Sequence, residues 1–206
     1  SIEVSERGKG RHMADVRKGR RIGNVVIVNK LRIIWLAGVV TAALSAYSQL
    51  TYTISNNEVT ITGYSGDLSG HLDIPSTLGG YPVTAIAGGT LTFRDDLTSM
   101  NIANTVRSIG SDAFYGCDNM TNVTLGNSIC TIDSLAFRFC NSLPVVTIPS
   151  SVTSIGFSAF SECRGMTSIF FCGNAPFADA GSFEFAPATV YYRHSSPVGP
   201  AGGPPC

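Results

Sequence analysis

The residues best suited to chemistry in this 206-residue chain are six cysteines, three histidines and one adjacent pair of acids. Cys117, Cys140 and Cys163 recur every 23 residues, while Cys130, Cys172 and Cys206 fall off that interval. A structural zinc site needs four converging ligands, usually marked by Cys-x-x-Cys or a nearby His. Neither mark occurs, so neither metal nor cofactor is expected. Equal spacing instead predicts a column of small buried thiols, because free Cys packs as an apolar residue. Adjacent members of such a column could reach disulfide distance, but three in a row cannot all pair. The same slot holds Arg94 and Ala186 elsewhere. Cys206 reads as an exposed thiol able to link chains. His71 and His194 are far apart in sequence and His12 is near the start, so no Ser-His-Asp or Cys-His set is expected. Asp95-Asp96 reads as a solvated turn, since a glycosidase needs two carboxyls facing across a cleft. Asp112 and Asp133, with Ser158 and Gly181 in later units, do not repeat as a calcium motif. Asn119-Met120-Thr121 and Asn122-Val123-Thr124 match the glycosylation sequon. The expectation is a protein without catalytic residues.

The charge is distributed unevenly. Residues 1–48 hold nine of the fourteen basic residues and three of the fourteen acids, and residues 49–206 hold five Arg, no Lys and eleven acids. A nucleic-acid binder needs a basic footprint to displace phosphate counterions. The acidic remainder excludes that class, and it lacks a basic patch for anionic lipid.

The first 48 residues read as a leader. Lys18, Arg20, Arg21, Lys30 and Arg32 precede the apolar run Ile33 to Leu44, and Ala46-Tyr47-Ser48 places small residues before a cut after Ser48. A charged stretch, a short apolar stretch and a small-residue cut site make a secretory signal. The run is about twelve residues, short of the roughly twenty that span a bilayer, so no stable membrane insertion is expected after cleavage.

The elements that would position any surface are set by a repeat. Leu97-Thr98-Ser99-Met100-Asn101-Ile102, Met120-Thr121-Asn122-Val123-Thr124-Leu125, Leu143-Pro144-Val145-Val146-Thr147-Ile148 and Met166-Thr167-Ser168-Ile169-Phe170-Phe171 follow at 23-residue intervals. Val106 and Ile109, Ile129 and Ile132, and Val152 and Ile155 recur in phase. So do Phe114, Phe137, Phe160 and Phe183. An earlier unit, Leu72 to Asp96, carries a five-residue insertion around Leu78-Gly79-Gly80-Tyr81-Pro82 and has Leu91 in the Phe slot. Each unit is one coil that cannot bury its apolar residues alone. Stacking joins them into continuous ladders. Residues one, four and six of the opening strand point inward, the Val-x-x-Ile segment is a second apolar wall, and the Phe plugs the interior.

The pattern Leu-x-x-Val-x-Ile-Pro-x-x-Val-x-x-Ile-x-x-x-Ala-Phe-x-x-Cys, clearest in Leu143–Gly165, resembles the BspA-type leucine-rich repeat family. The resemblance covers about residues 50–190. It implies a curved solenoid with a strand ladder on one face, secreted or cell-surface placement and, for some members, adhesion to host or matrix proteins.

The expected fold is mainly β: a short leucine-rich-repeat solenoid with a β-hairpin N-cap and a strand-ladder face. A cleaved leader at 1–48 precedes a capping hairpin over 49–71. Repeats fill 72–192, with units at 72–96, 97–119, 120–142, 143–165 and 166–188 and a last strand, and a disordered Pro/Gly tail fills 193–206. Within each opening strand, residues three and five face out, which nominates Ser99, Asn101, Asn122, Thr124, Val145, Thr147, Ser168 and Phe170 as an interaction face. Val145 with Phe170 would make a small apolar patch. The function expected is a secreted or cell-surface interaction or adhesion module with an extracellular protein or glycan ligand. The alternative is a passive structural component of an extracellular or envelope layer.

Overall fold

The computed structural model describes residues 25–27, 49–68, 70–179 and 181–192. The apolar run, Ser48, His12, His194, Cys206 and the Pro/Gly tail lie outside them. Every regular element among the described residues is a strand. β1 (Val25–Ile27) pairs antiparallel with β2 (Leu50–Ser55), which pairs antiparallel with β3 (Glu58–Tyr64). The β2–β3 turn places Asn56 and Asn57 at φ 52° and 62°. This is the hairpin geometry that Asn tolerates better than other side chains.

The chain then coils. The first coil contains β4 (Gly70–Ile74), β5 (Thr77–Leu78) and β6 (Tyr81–Ile86). The next contain β7 (Leu97–Ile102) with β8 (Ser108–Ile109), β9 (Asn122–Thr124) with β10 (Thr131–Ile132), and β11 (Val145–Ile148) with β12 (Ser154–Ile155). β13 (Ser168–Phe171) with β14 (Phe177–Ala178), and finally β15 (Thr189–Tyr192), complete the stack. Parallel pairing joins β3-β6-β8-β10-β12-β14 along one wall, β4-β7-β9 and then β11-β13-β15 along another. The 23-residue period is the register itself: Ser99 pairs with Asn122 and Val145 with Ser168. In the first step Leu72 pairs with Met100, five residues over the period. The antiparallel β5–β6 hairpin, turning through Gly79 and Gly80 at φ 59° and 87°, absorbs the excess.

The front ladder is interrupted between β9 and β11, and Pro144 supplies the reason. Thr121 N donates to Thr98 O (2.8 Å) and Thr167 N to Pro144 O (2.7 Å). The equivalent donor facing Thr121 O is the nitrogen of Pro144, which has no hydrogen.

Leu97, Met120, Leu143 and Met166 form one buried column. Met100, Val123, Val146 and Ile169 form the next. Phe114, Phe137, Phe160 and Phe183 stack near-parallel, with centroids 5.0, 5.1 and 5.5 Å apart. Cys117, Cys140 and Cys163 are fully buried free thiols. Each S–H donates to a carbonyl of the preceding coil, those of Leu91, Phe114 and Phe137, at 3.1–3.3 Å. Burial pushes the Cys117 and Cys163 thiols up to about 12 and that of Cys140 well above the ordinary value.

The turn that carries the Phe plug has a backbone regularity of its own. Gly89, Asp112, Leu135, Ser158 and Gly181 form one column of left-handed residues. Phe93, Gly116, Phe139, Glu162 and Phe185 form a second, all with φ between 53° and 70°. These kinks aim alternate N–H groups along the stack. Asp112, Phe114 and Gly116 donate to the carbonyls of Ser134, Ala136 and Arg138 at 3.1, 2.8 and 2.8 Å. The same three bonds recur from Gly89, Leu91 and Phe93 and from Leu135, Phe137 and Phe139, so they offset the cost of left-handed backbone at non-glycine residues.

Candidate interaction surface

Successive strand side chains alternate between the two faces, so the strands that bury Met100, Val123, Val146 and Ile169 must turn their neighbours outward. Asn101, Asn122, Thr124, Val145, Thr147 and Phe170 are exposed, and Ser99 and Ser168 are half-buried. Parallel pairing places them in two outward rows. One row runs His71, Ser99, Asn122 on the first ladder and Val145, Ser168, Thr189 on the second. The other runs Asp73, Asn101, Thr124 and then Thr147, Phe170, Tyr191.

The two halves of this face differ. At the N-terminal half His71 Nδ1 lies 2.7 Å from Ser99 Oγ, and His71 Nε2 lies 3.1 Å from Asp73 Oδ1. Asn101 Nδ2 donates to Asp73 Oδ1 at 2.8 Å and sits 3.2 Å from His71 Nε2. The Asn101 hydrogen bond, with His71 beside it, holds the Asp73 carboxyl below its usual range. At the C-terminal half the Phe170 and Tyr191 rings stack at 4.8 Å and 13°. They are 40% and 46% exposed, and Val145 is 40% exposed.

The His71–Ser99–Asp73 grouping corrects the expectation that no such set would form. His71 is 28 residues from Ser99, and the insertion, not the regular period, brings them opposite each other. The grouping has the elements of a nucleophile and base, but it lies on an open sheet face with His71 and Asp73 about half exposed. The neighbouring backbone N–H groups belong to ladder strands. Among the described residues no three His, Cys, Asp or Glu side chains are placed to hold a metal ion, and no helix is long and apolar enough to cross a membrane.

A family model for the BspA-type leucine-rich repeat region matches residues 85–191, in six copies, more than half of the chain. The chain belongs to the BspA-type leucine-rich repeat family. Solved structures similar to it include a leucine-rich repeat protein of T. pallidum. That likeness is 26% identical over 69% of this chain and 68% of that one, with a TM-score of 0.64. A leucine-rich repeat protein of Bacteroides capillosus is 27% identical over 70% of this chain and 94% of that one, with a TM-score of 0.52. The pneumococcal vaccine antigen PcpA shares the fold at 17% identity, over 71% of this chain and 49% of that one, with a TM-score of 0.52. No curated protein matches the chain.

Two features of this BspA-type stack escaped the sequence reading. Tyr191, on the last strand of the apolar half, follows Phe170 by 21 residues rather than 23, so a strict period does not place it on the face. The left-handed columns are hidden because only Gly89, Gly116 and Gly181 among their ten positions are glycine.

Proposed function

We propose that the protein is a non-catalytic interaction module, secreted or held at a cell surface, that docks an extracellular protein or glycan on the outward face of its strand ladder. The observation that carries this reading is the Val145, Phe170 and Tyr191 patch, with its stacked pair exposed on the sheet face. Aromatic side chains bury large area at low conformational cost, and exposed clusters of them rimmed by polar groups mark interaction sites. Here the rim is Thr147, Ser168 and Thr189, and the hydroxyls and amides of Asn122, Thr124 and Asn101 continue the face as hydrogen-bonding surface. The repeat family membership supports the reading, because solenoids present extended faces to partners. The passive structural alternative predicts a uniformly polar face, which the apolar half disfavours.

Saturable binding of the full chain to immobilised extracellular-matrix proteins, glycans and cell-wall material tests the proposal, alongside a Phe170→Ser/Tyr191→Ser variant. Binding to one of these classes that weakens at least about tenfold in the variant is the expected result, given that an interface anchor is worth roughly 1–2 kcal/mol or more. Saturable binding to none of the three, or identical binding by the variant, rejects it.

A further inference from the structure

A second aromatic surface runs along the turn that follows the Phe plug, away from the strand ladder. Phe93, Tyr115 and Phe139 belong to successive coils. Their rings meet edge to face, Phe93 with Tyr115 at 5.2 Å and Tyr115 with Phe139 at 5.5 Å. Phe93 is 67% exposed, although its left-handed backbone favours a small residue. The ring lies over Gly116, where a Cβ would come within 2.5 Å of it. Gly116 thus leaves room for the ring to lie along the turn.

Two observations identify what such a strip holds. The Arg138 guanidinium already lies over the Phe139 ring at 4.8 Å, with its Nε buried and without a hydrogen-bond partner among the described residues. Arg94 lies likewise over Tyr64 at 5.4 Å. In both contacts an aromatic ring of this fold takes a guanidinium on its face. The strip is also bordered by carboxylates. Asp95 follows Phe93 by two residues and Asp118 follows Gly116 by two, in one 23-residue column, and both are exposed. Asp118 Oδ1 accepts from Asn141 Nδ2 at 2.8 Å and makes no ion pair among the described residues. Asp95 makes no side-chain hydrogen bond or ion pair among the described residues. Meanwhile Arg94, Arg107 and Arg164 are paired with Asp96, Glu58 and Glu162. Residues 49–206 hold eleven acids, five Arg and no Lys, and at this corner the exposed Asp95 and Asp118 carboxylates outnumber the one Arg without an ion pair among the described residues, Arg138.

We propose that the Phe93–Tyr115–Phe139 corner docks an extended, arginine-rich segment of a partner protein, its guanidinium groups lying against the Phe93 and Tyr115 rings beside the Arg138–Phe139 pair and pairing with Asp95 and Asp118. Arginine is favoured over lysine because a planar, weakly hydrated guanidinium stacks on rings and pairs with a carboxylate at once. The surface is separate from the ladder face, so the two readings stand or fall independently.

A fluorescent peptide of alternating Arg and Ser, titrated against the full chain and followed by anisotropy, tests this. Saturable binding is expected that weakens several-fold between about 50 mM and about 200 mM salt as the surface charges are screened. Citrulline in place of Arg abolishes it, and Lys in place of Arg weakens it. Phe93→Asn with Tyr115→Ser lowers affinity roughly tenfold, the scale of two cation–π contacts. Asn accepts the left-handed backbone at 93, so an unchanged melting curve separates lost docking from lost folding. Asp95→Asn with Asp118→Asn weakens binding and flattens its salt dependence, while Phe170→Ser leaves it intact. No saturable binding of the Arg peptide overturns the proposal. So does equal binding of the citrulline peptide, or undiminished binding by the folded Phe93→Asn/Tyr115→Ser variant.

Discussion

Phe137 sits in the middle of the Phe column. It is fully buried and packed against Phe114 on one side and Phe160 on the other, with interplanar angles of 27° and 3°. Truncation to Ala removes both stacks and leaves a cavity between coils that the flanking backbone, tied by inter-coil hydrogen bonds, cannot close. A loss of about 3–5 kcal/mol is expected in urea or guanidinium unfolding. Gly116 is constrained differently. At φ 69° and under the Phe93 ring, Gly116→Ala is expected to cost about 1–2 kcal/mol from the backbone alone, with the ring displaced. The thiols make a third residue-scale prediction. Burial raises Cys117, Cys140 and Cys163 above the ordinary value of 9.0, to about 12 for the first and last. The folded chain therefore holds those protons when the unfolded chain has released them. The stability they contribute is complete below pH 9 and declines as pH rises towards 12. Denaturation midpoints between pH 8 and about 11 should fall less steeply in the triple Cys→Ala variant at these positions. In native protein a thiol reagent should label exposed Cys172 and spare these three until unfolding.

At the scale of elements, the sequence and the structure agree where apolar chemistry repeats and part where backbone geometry decides. The opening strands, the Val-x-x-Ile wall and the Phe column are legible because each needs an apolar side chain at a fixed interval, and burial follows from stacking. The Val-x-x-Ile wall goes further than a wall: Ser108–Ile109, Thr131–Ile132 and Ser154–Ile155 pair in parallel as a second ladder. Two-residue strands carry too little periodicity to be read from sequence. The left-handed turns were illegible for another reason. Leu135, Phe139 and Glu162 adopt φ of 59–62° because the inter-coil bonds demand it, against their own preference. The outward rows were legible as alternation, but their content was not. The insertion sets His71 opposite Ser99, and the short final step sets Tyr191 beside Phe170, and both break the period that revealed the fold.

The whole molecule behaves as a one-dimensional stack in which each coil is stabilised by its neighbours. A coil in the middle has two such neighbours, and one at the end has fewer. Phe183, at the end of the Phe column, is only partly buried and stacks on Phe160 alone within that column. Phe183→Ala is therefore expected to cost about half or less of what Phe137→Ala costs, measured by the same denaturation experiment. The stack also presents two distinct long surfaces, the ladder face with its apolar C-terminal half and the acidic aromatic corner. Their separation makes location the decisive observation. The most direct measurement is hydroxyl-radical footprinting of the full chain, alone and bound to whichever matrix protein, glycan or cell-wall fraction it captures. Phe170 and Tyr191 should lose oxidation on binding, while Phe157 and Phe177, exposed elsewhere on the stack, keep it. Unchanged oxidation of Phe170 and Tyr191 in a saturated complex would contradict the ladder face as the site of docking.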